Sequence, residues 1–319
     1  LNIKPGDKII TSPITFAASA NCIRYCGGEV VFVDIDPETY LIDTKKLKQL
    51  LDNSDEGEFK GVIPVDFSGR SNNFEEIKNI ANKHKLWIIE DACHAPGGYF
   101  KDSEGINQFC GNGVYSDLSI FSFHPVKHIT TGEGGMILTD DEVLAKSCRE
   151  IRNLCFIPGK RFVHKRMGWN LRMTNLQAAL GVAQLERLDE FLKKKRWIGH
   201  RYNELLADLP SVQLPLEKTN YSNNIYWVYT LVMDSSLEFD VLDIMTNLAK
   251  IGVGSRPFFC PMHQQPVLKE QGLFKNESYP VAEKLYKQGF YLPSGLALTE
   301  AQIIHTVDSL KKVLKRKKD

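Results

Sequence analysis

The chain has 319 residues, enough for two domains at roughly 150 residues each and for a core that needs no disulfide or metal staples. Its composition is that of an ordinary globular protein, with 43% hydrophobic and 25% charged residues, and 40 Lys plus Arg against 39 Asp plus Glu leave a formal charge of +1, which argues against a polyanion coat or a membrane-surface protein. No apolar run approaches the roughly 20 residues that cross a bilayer, residues 1–20 do not read as a secretory signal, and seven cysteines without paired spacing point to a reducing cytosol.

The opening Leu1-Asn2-Ile3-Lys4-Pro5-Gly6-Asp7 reads as the end of one element running into a turn, and the expectation is that a native segment precedes it. From residue 8 to about 140, short runs of Val, Ile, Leu and Phe alternate with amphipathic stretches. Segments 8–11, 30–35, 61–67, 86–90, 118–123 and 135–139 read as strands, and 17–25, 44–51 and 73–84 as helices. That alternation predicts βαβ units and a mainly parallel sheet covered on both faces, as the nearly unbroken apolar strands also imply. Residues 142–152 read as a helix and 156–169 as a basic loop marked by Pro and Gly. A long helical pattern then runs from 174 to about 209, carried by Leu176, Leu180, Leu185, Leu188 and Leu192. A smaller α/β unit follows, with strands at 226–233 and near 253–258 and helices over 237–251, 279–289 and 299–314. The domain boundary falls within the long helix, giving a large domain of residues 1–190 and a small C-terminal one of 191–319.

In an open parallel sheet, ligands gather beyond the carboxyl ends of the strands. Leu86-Trp87-Ile88-Ile89-Glu90-Asp91-Ala92-Cys93-His94 delivers Asp91 and His94 there. Ser119-Ile120-Phe121-Ser122-Phe123-His124-Pro125-Val126-Lys127 delivers a lysine past a strand and a proline, and Thr130-Thr131-Gly132-Glu133-Gly134-Gly135 follows as a turn whose amides can approach an anion. An Asp and a Lys at neighbouring strand ends admit two readings. One is a partly buried ion pair. The other is a Schiff-base lysine with an aspartate against a pyridinium nitrogen, the protein's usual contribution to pyridoxal phosphate chemistry.

Three blocks carry a family resemblance. The lysine block from Ser122 to Gly135, preceded by Glu90-Asp91-Ala92-Cys93-His94-Ala95, resembles the DegT/DnrJ/EryC1/StrS sugar aminotransferases. So do the block from Gly168 to Glu186 and Arg256-Pro257-Phe258-Phe259-Cys260-Pro261-Met262-His263. The last two are most similar to GDP-perosamine synthases, which aminate a GDP-linked 4-keto-6-deoxyhexose. The lysine block is equally similar to pseudaminic-acid aminotransferases, which act on a UDP-linked sugar.

The resemblance implies a fold-type I architecture, pyridoxal 5'-phosphate as cofactor, and glutamate with a nucleotide-diphosphate sugar as substrates. It implies Lys127 as the Schiff-base lysine, Asp91 against the pyridine nitrogen and His94 beside the phenolic oxygen. Phe16 matches an aromatic residue that stacks on the cofactor ring, though an ordinary core Phe at a helix start is an equally simple reading. Ser122 matches a phosphate ligand. Asn170 matches a residue reaching the phosphate from a second subunit, so the expectation is a homodimer with shared active sites, with no nucleic acid and no membrane as partners. Arg172, Arg256 and His263 are the substrate-side candidates, since an Arg fork suits carboxylate or phosphate; surface arginines and a satisfied histidine are the alternatives. Cys93 and His124 receive no catalytic step, and Asp91, Cys93 and His94 are too crowded for a zinc site, so no metal is expected.

From Ile151 to Leu185 there is no Asp or Glu, while Arg152, Lys160, Arg161, Lys165, Arg166 and Arg172 are all basic. That local positive field suits a diphosphate, and for Lys160 and Arg161 a solvated loop is the plainer reading; the basic run 311–318 reads as a solvated tail. Gly111-Asn112-Gly113 precedes a strand and lacks the third glycine of a dinucleotide fingerprint. A related sugar dehydratase carries histidine in place of the lysine, so Lys127 argues against it. The resemblance also implies a Gly-Thr cofactor-phosphate loop ahead of Pro5-Gly6-Asp7, absent from this sequence. Weak cofactor binding is the expectation for the chain as written, with an inactive fragment or a non-catalytic relative as the alternatives.

Overall fold

The computed structural model describes residues 1–210, 212–234 and 240–315. In chain order the first part comprises β1 (Lys8–Thr11), α1 (Ala18–Tyr25), β2 (Glu29–Phe32), α2 (Thr44–Asp52), β3 (Phe59–Ile63), α3 (Phe74–Lys83), β4 (Trp87–Asp91), β5 (Tyr99–Lys101), β6 (Asn107–Phe109), β7 (Leu118–Ser122), β8 (Gly135–Leu138) and α4 (Glu142–Arg152). Then come β9 (Phe156–Ile157), β10 (Lys160–His164), α5 (Asn175–Leu185), α6 (Leu188–Leu206), β11 (Val212–Gln213), β12 (Tyr229–Met233), α7 (Val241–Lys250), β13 (Arg256–Pro257), α8 (Pro266–Glu270), α9 (Pro280–Gln288), β14 (Gly289–Leu292) and α10 (Glu300–Lys315).

The main sheet has the order β2-β1-β3-β4-β7-β8. Its first five strands are parallel, and β8 runs antiparallel to β7. One face packs Ile10, Val62 and Ile88 against Leu47 and Leu51 of α2 and Phe74 and Ile77 of α3. The other packs Ile9, Val30 and Ile63 against Ile23 of α1 and Leu268 of α8. Helices α2, α3 and α4 each begin on an Asp or Asn side chain that accepts backbone N–H groups of the first turn, the cap such residues favour.

The second sheet, β11-β12-β14-β13, is antiparallel. Its outer core joins Tyr202 and Leu206 of α6 to Leu231, Ile244, Phe290 and Leu310. Its inner side, through Val232, Phe258 and Tyr291, packs on Val65 and Phe67 beyond the end of β3. The small sheet is thereby pressed against the strand ends of the large one.

Several expectations need correction. The pattern over 174–209 is two helices, not one: α5 ends at Leu185 and α6 starts at Leu188. The same leucine spacing runs through both, but Leu188 and Leu192 pack with Ala92, Ala95 and Ile225 while α5 has no buried residue, so a change of partner breaks the helix without a Gly or Pro. The basic loop carries the β9–β10 hairpin. The helix expected over 279–289 ends at Gln288, and residues 289–292 form β14, a strand that was not expected, where the run Phe290-Tyr291-Leu292 is buried. Of the helix expected over 237–251, the start, like the basic tail beyond Lys315, lies outside the described residues.

Candidate active site

β4 ends on Glu90 and Asp91, which a strand's two-residue period sends to opposite faces. Glu90 accepts the Gly111 N–H at 3.0 Å and the Ser119 hydroxyl at 2.7 Å. It lies beside Asp66 and Cys110, and burial raises both the Asp66 and Glu90 carboxyls above the usual range. Asp91 is 5% exposed. Its Oδ2 accepts the Ser19 hydroxyl at 2.6 Å, Ser19 in turn accepts the Thr15 hydroxyl at 3.0 Å, and Oδ1 accepts the Cys93 N–H at 3.2 Å. The first turns of α1 thus fix the carboxylate in place.

Two residues past Asp91 the chain turns and brings His94 beneath Trp227. The two rings stack with centroids 3.6 Å apart and 10° between their planes. His94 Nδ1 accepts the Ser68 N–H at 3.4 Å, which leaves Nε2 as the protonated nitrogen. Burial first, then the Lys127 charge, push this imidazole well below the ordinary histidine range, so it is neutral. The Trp227 segment is held by the loop that holds His94: Ile225 donates its N–H to the Gly69 carbonyl at 2.9 Å and Trp227 to that of Ser68 at 3.2 Å. Gly69 is required here, because its φ is +98° and a Cβ would stand 2.6 Å from the Trp227 nitrogen.

β7 delivers Ser122, and five residues later Lys127 follows a turn closed by its own N–H on the His124 carbonyl, 3.0 Å. The Lys127 Nζ lies 4.4 Å from the Trp227 ring centroid, and the indole N–H donates to the Val126 carbonyl at 2.9 Å. Burial lowers the Lys127 amine below the ordinary lysine range, opposed by Cys93 and Asp91. Lys127 opens on a cleft of about 720 Å³ between the two sheets, whose walls include Trp227, Lys195 and Arg256.

The fold therefore gathers Asp91, His94 and Lys127, and puts Arg256 on the cleft wall. Ser122 is half-buried at the end of β7, its hydroxyl accepting the His124 N–H at 3.4 Å. Phe16 is 62% exposed, with its ring 6.3 Å from that of Phe259, so it is not a core residue. Asn170 and Arg172 lie apart and exposed: Arg172 donates to Asn170 Oδ1 at 2.8 Å and to Asn153 Oδ1 at 3.2 Å. His263 is also apart and buried, its Nε2 3.0 Å from Glu283 and its ring against Tyr279. Among the described residues, none of the basic ones of 151–185 lines the cleft; Arg166 pairs with Glu150, and the Arg161 side chain lies outside the described residues. Sequence reasoning missed Ser19, Trp227 and Lys195. Trp227 stood inside a segment legible only as a strand, and nothing local marks Ser19 as the partner of a residue 72 positions away.

A model of the DegT/DnrJ/EryC1/StrS aminotransferase family matches residues 1–311. A GDP-perosamine synthase of Caulobacter vibrioides is 35% identical over 314 residues, covering 98% of this chain and 81% of that protein. A GDP-perosamine synthase of Vibrio cholerae is 32% identical, covering 98% and 81%. Among solved structures, Helicobacter pylori PseC, an aminotransferase of pseudaminic acid biosynthesis, superposes with a TM-score of 0.88 at 26% identity, over 99% of this chain and 82% of that one.

Proposed function

The chain belongs to the DegT/DnrJ/EryC1/StrS aminotransferase family, a pyridoxal-phosphate-dependent transaminase family, and we propose that it moves an amino group from glutamate to C4 of a nucleotide-linked 4-keto-6-deoxysugar. A GDP-linked sugar is the first choice, on the similarity to GDP-perosamine synthases, and cell-surface polysaccharide synthesis is the process it would feed. The observation that carries the reading is the group Asp91, His94 and Lys127, gathered at the ends of adjacent parallel strands.

These donors fit pyridoxal phosphate. A buried carboxylate already oriented by Ser19 and Cys93 suits a protonated pyridine nitrogen. A neutral imidazole with its Nε2 hydrogen available suits the phenolic oxygen. The Ser122 hydroxyl suits the phosphate, and the exposed Phe16 ring suits stacking on the cofactor. When bound, the cofactor supplies the electron sink that lets nitrogen move between two carbons. The residues do the rest. Asp91 would hold the ring nitrogen in its protonated form. Lys127, eased toward its neutral form by burial, would take the proton from the glutamate α-carbon in the first half and deliver a proton to C4 of the sugar in the second, so ping-pong kinetics follow. Trp227 excludes water from one side of the amine.

The same reading includes a homodimer. Helix α5 carries Leu176, Val182 and Leu185 exposed, beside exposed Met167, Trp169 and Leu171, and β8 adds Met136 and Ile137. Gln177 of α5 donates to the Glu133 carbonyl and Gln184 accepts the Thr130 N–H, which ties this apolar face to the loop after Lys127. A second copy covering it would bring the partner's Asn170 and Arg172 toward the cleft, supplying the positive charge that residues 151–185 hold. A cytoplasmic location fits the seven free thiols.

A UDP-linked 4-keto-6-deoxy-N-acetylhexosamine is the second reading, favoured by the similarity to PseC. Assay with glutamate against GDP-, UDP- and dTDP-linked 4-keto sugars decides between them. Lys127→Ala is expected to abolish turnover, and a variant that retains it would reject the assignment.

A further inference from the structure

Behind Asp91, on the opposite face of β4, two acids that the transaminase chemistry does not use are sealed from water: Glu90 is 4% exposed and Asp66 0%. One oxygen of each and the Cys110 sulfur lie within 4.8 Å of one another. Glu90 is rich in donors. The Gly111 N–H reaches both of its oxygens, at 3.1 and 3.0 Å, and the Ser119 and Ser116 hydroxyls point at Oε2 from 2.7 and 3.4 Å. Asp66 Oδ1 accepts the backbone and side-chain N–H groups of Asn72, each at 2.8 Å. Its Oδ2 faces Glu90, inaccessible and without a well-formed hydrogen bond among the described residues. No Lys, Arg or His forms an ion pair with either acid among these residues. The other titratable neighbours, Cys93, Cys110 and Tyr221, are held above their ordinary ranges by burial and stay neutral. Two carboxylates this close and this dry cannot both be charged. Because three donors already aim hydrogens at Glu90, what completes the group is a proton on Asp66, not a metal ion.

We propose that Asp66 and Glu90 hold one proton between them, Asp66 as the donor, and that this hydrogen bond clamps the 66–69 loop to the end of β4 as a positioning device for Asp91 and His94. The backbone ties the same segments together. Asp66 donates its N–H to the Asp91 carbonyl and Asp91 donates to that of Pro64, both at 3.0 Å. Two residues on, the Ser68 N–H reaches His94 Nδ1. The acid pair thus joins the loop that holds His94 to the strand that ends on Asp91, and through Ser119 and Gly111 it extends to β7 and to the turn after β6. A charge-assisted bond of this kind is stronger than a neutral one. What the clamp does for a cofactor rests on the transaminase reading; the shared proton does not.

The test uses cofactor-free protein. At neutral pH, where exposed carboxyls are ionised, the infrared spectrum of the wild type should show the carbonyl stretch of one protonated carboxyl, and Asp66→Asn should remove it. No such band in the wild type, or an unchanged band in the variant, would overturn the proposal, as would a metal ion at one per chain in the purified protein. The folded chain keeps a proton that the unfolded chain has released by pH 5, so stability falls as the pH rises. Urea denaturation at pH 5 and pH 7 should therefore show the wild-type folding constant dropping, relative to Asp66→Asn, by about a hundredfold for a proton held through pH 7; equal pH dependence in the two proteins refutes the shared proton. The clamp is read by hydrogen exchange over residues 64–70 and 90–95. Asp66→Asn, whose amide can donate to Glu90 as the acid does, should exchange within a few-fold of wild type, and Asp66→Leu at least tenfold faster. Equal exchange in the two variants rejects the clamp. Should an Asp66 variant lose its circular dichroism, Glu90→Gln and Glu90→Leu take the places of the Asn and Leu variants, with the same results expected. Borohydride reduction and peptide mapping report separately whether a cofactor attaches to Lys127, so failure of the transaminase reading and failure of the shared proton are distinguishable.

Discussion

Acidification should remove one contribution to the stability of this fold, and a single histidine makes that loss visible. His128 follows the proposed Schiff-base lysine and is 2% exposed. Burial, then the Lys195 charge, pulls its imidazole from 6.5 down to about 3. Above pH 6.5 neither the folded nor the unfolded chain protonates it, and its contribution is complete. Between 6.5 and about 3 only the unfolded chain takes the proton, so stability is lost as the pH falls. From pH 7 to pH 5 that loss is about 2 kcal/mol for the single group. His94 acts in the same direction, while the raised carboxyls of Asp66 and Glu90 act in the opposite one, so the wild-type slope alone is uninformative. The decisive quantity is a difference. Urea denaturation at pH 7 and pH 5 should show His128→Gln losing about 2 kcal/mol less than the wild type over that interval. Equal losses in the two proteins would mean that His128 is hydrated or charge-paired in the folded state, and the buried-neutral assignment would fall.

Ser19→Ala removes a buried hydroxyl that donates to the Asp91 carboxylate; a loss of about 1.5–3 kcal/mol in urea denaturation is expected, with weaker cofactor binding in an absorbance titration, and no change in either would show that Ser19 does not position Asp91. Gly69→Ala forces a Cβ to within 2.6 Å of the Trp227 nitrogen at a φ of +98°, so it should cost about 1–3 kcal/mol and shift the tryptophan emission; an unshifted spectrum would separate the 68–69 loop from the placement of Trp227. Leu176→Glu puts a charge on a residue that is 86% exposed in the single chain, and sedimentation should show a dimer becoming monomer. A dimer that survives rejects the α5 face as the interface.

What the sequence made legible follows a physical rule. The strands of the parallel sheet were readable because burial on both faces leaves an unbroken apolar run, and the residues just past their ends are then placed by topology alone. Asp91, His94 and Lys127 each sit within five residues of such an end, so local order was enough to bring them together. The second sheet carried that signal only in part: the buried run of β12 was readable within 226–233, whereas β14 was not expected. Its strands β11 and β13 have two residues each, and their pairing is set by β12 and β14, which are distant in the chain.

The same distinction explains what the site lacked when read from the sequence. Ser19, Trp227 and Lys195 act on the site across 72, 100 and 68 positions, counted to Asp91, Lys127 and Lys127 respectively, and the signal for each is packing: a glycine that lets one backbone approach another, or a lysine stem threaded under a loop. Charge follows the same rule. The acid-free stretch 151–185 was visible as composition, but a lone chain turns it outward beside the apolar α5, whereas the cleft takes its positive lining from residues scattered between 127 and 305. A one-dimensional count finds contiguous charge; a cleft assembled by two sheets concentrates charge that is not contiguous.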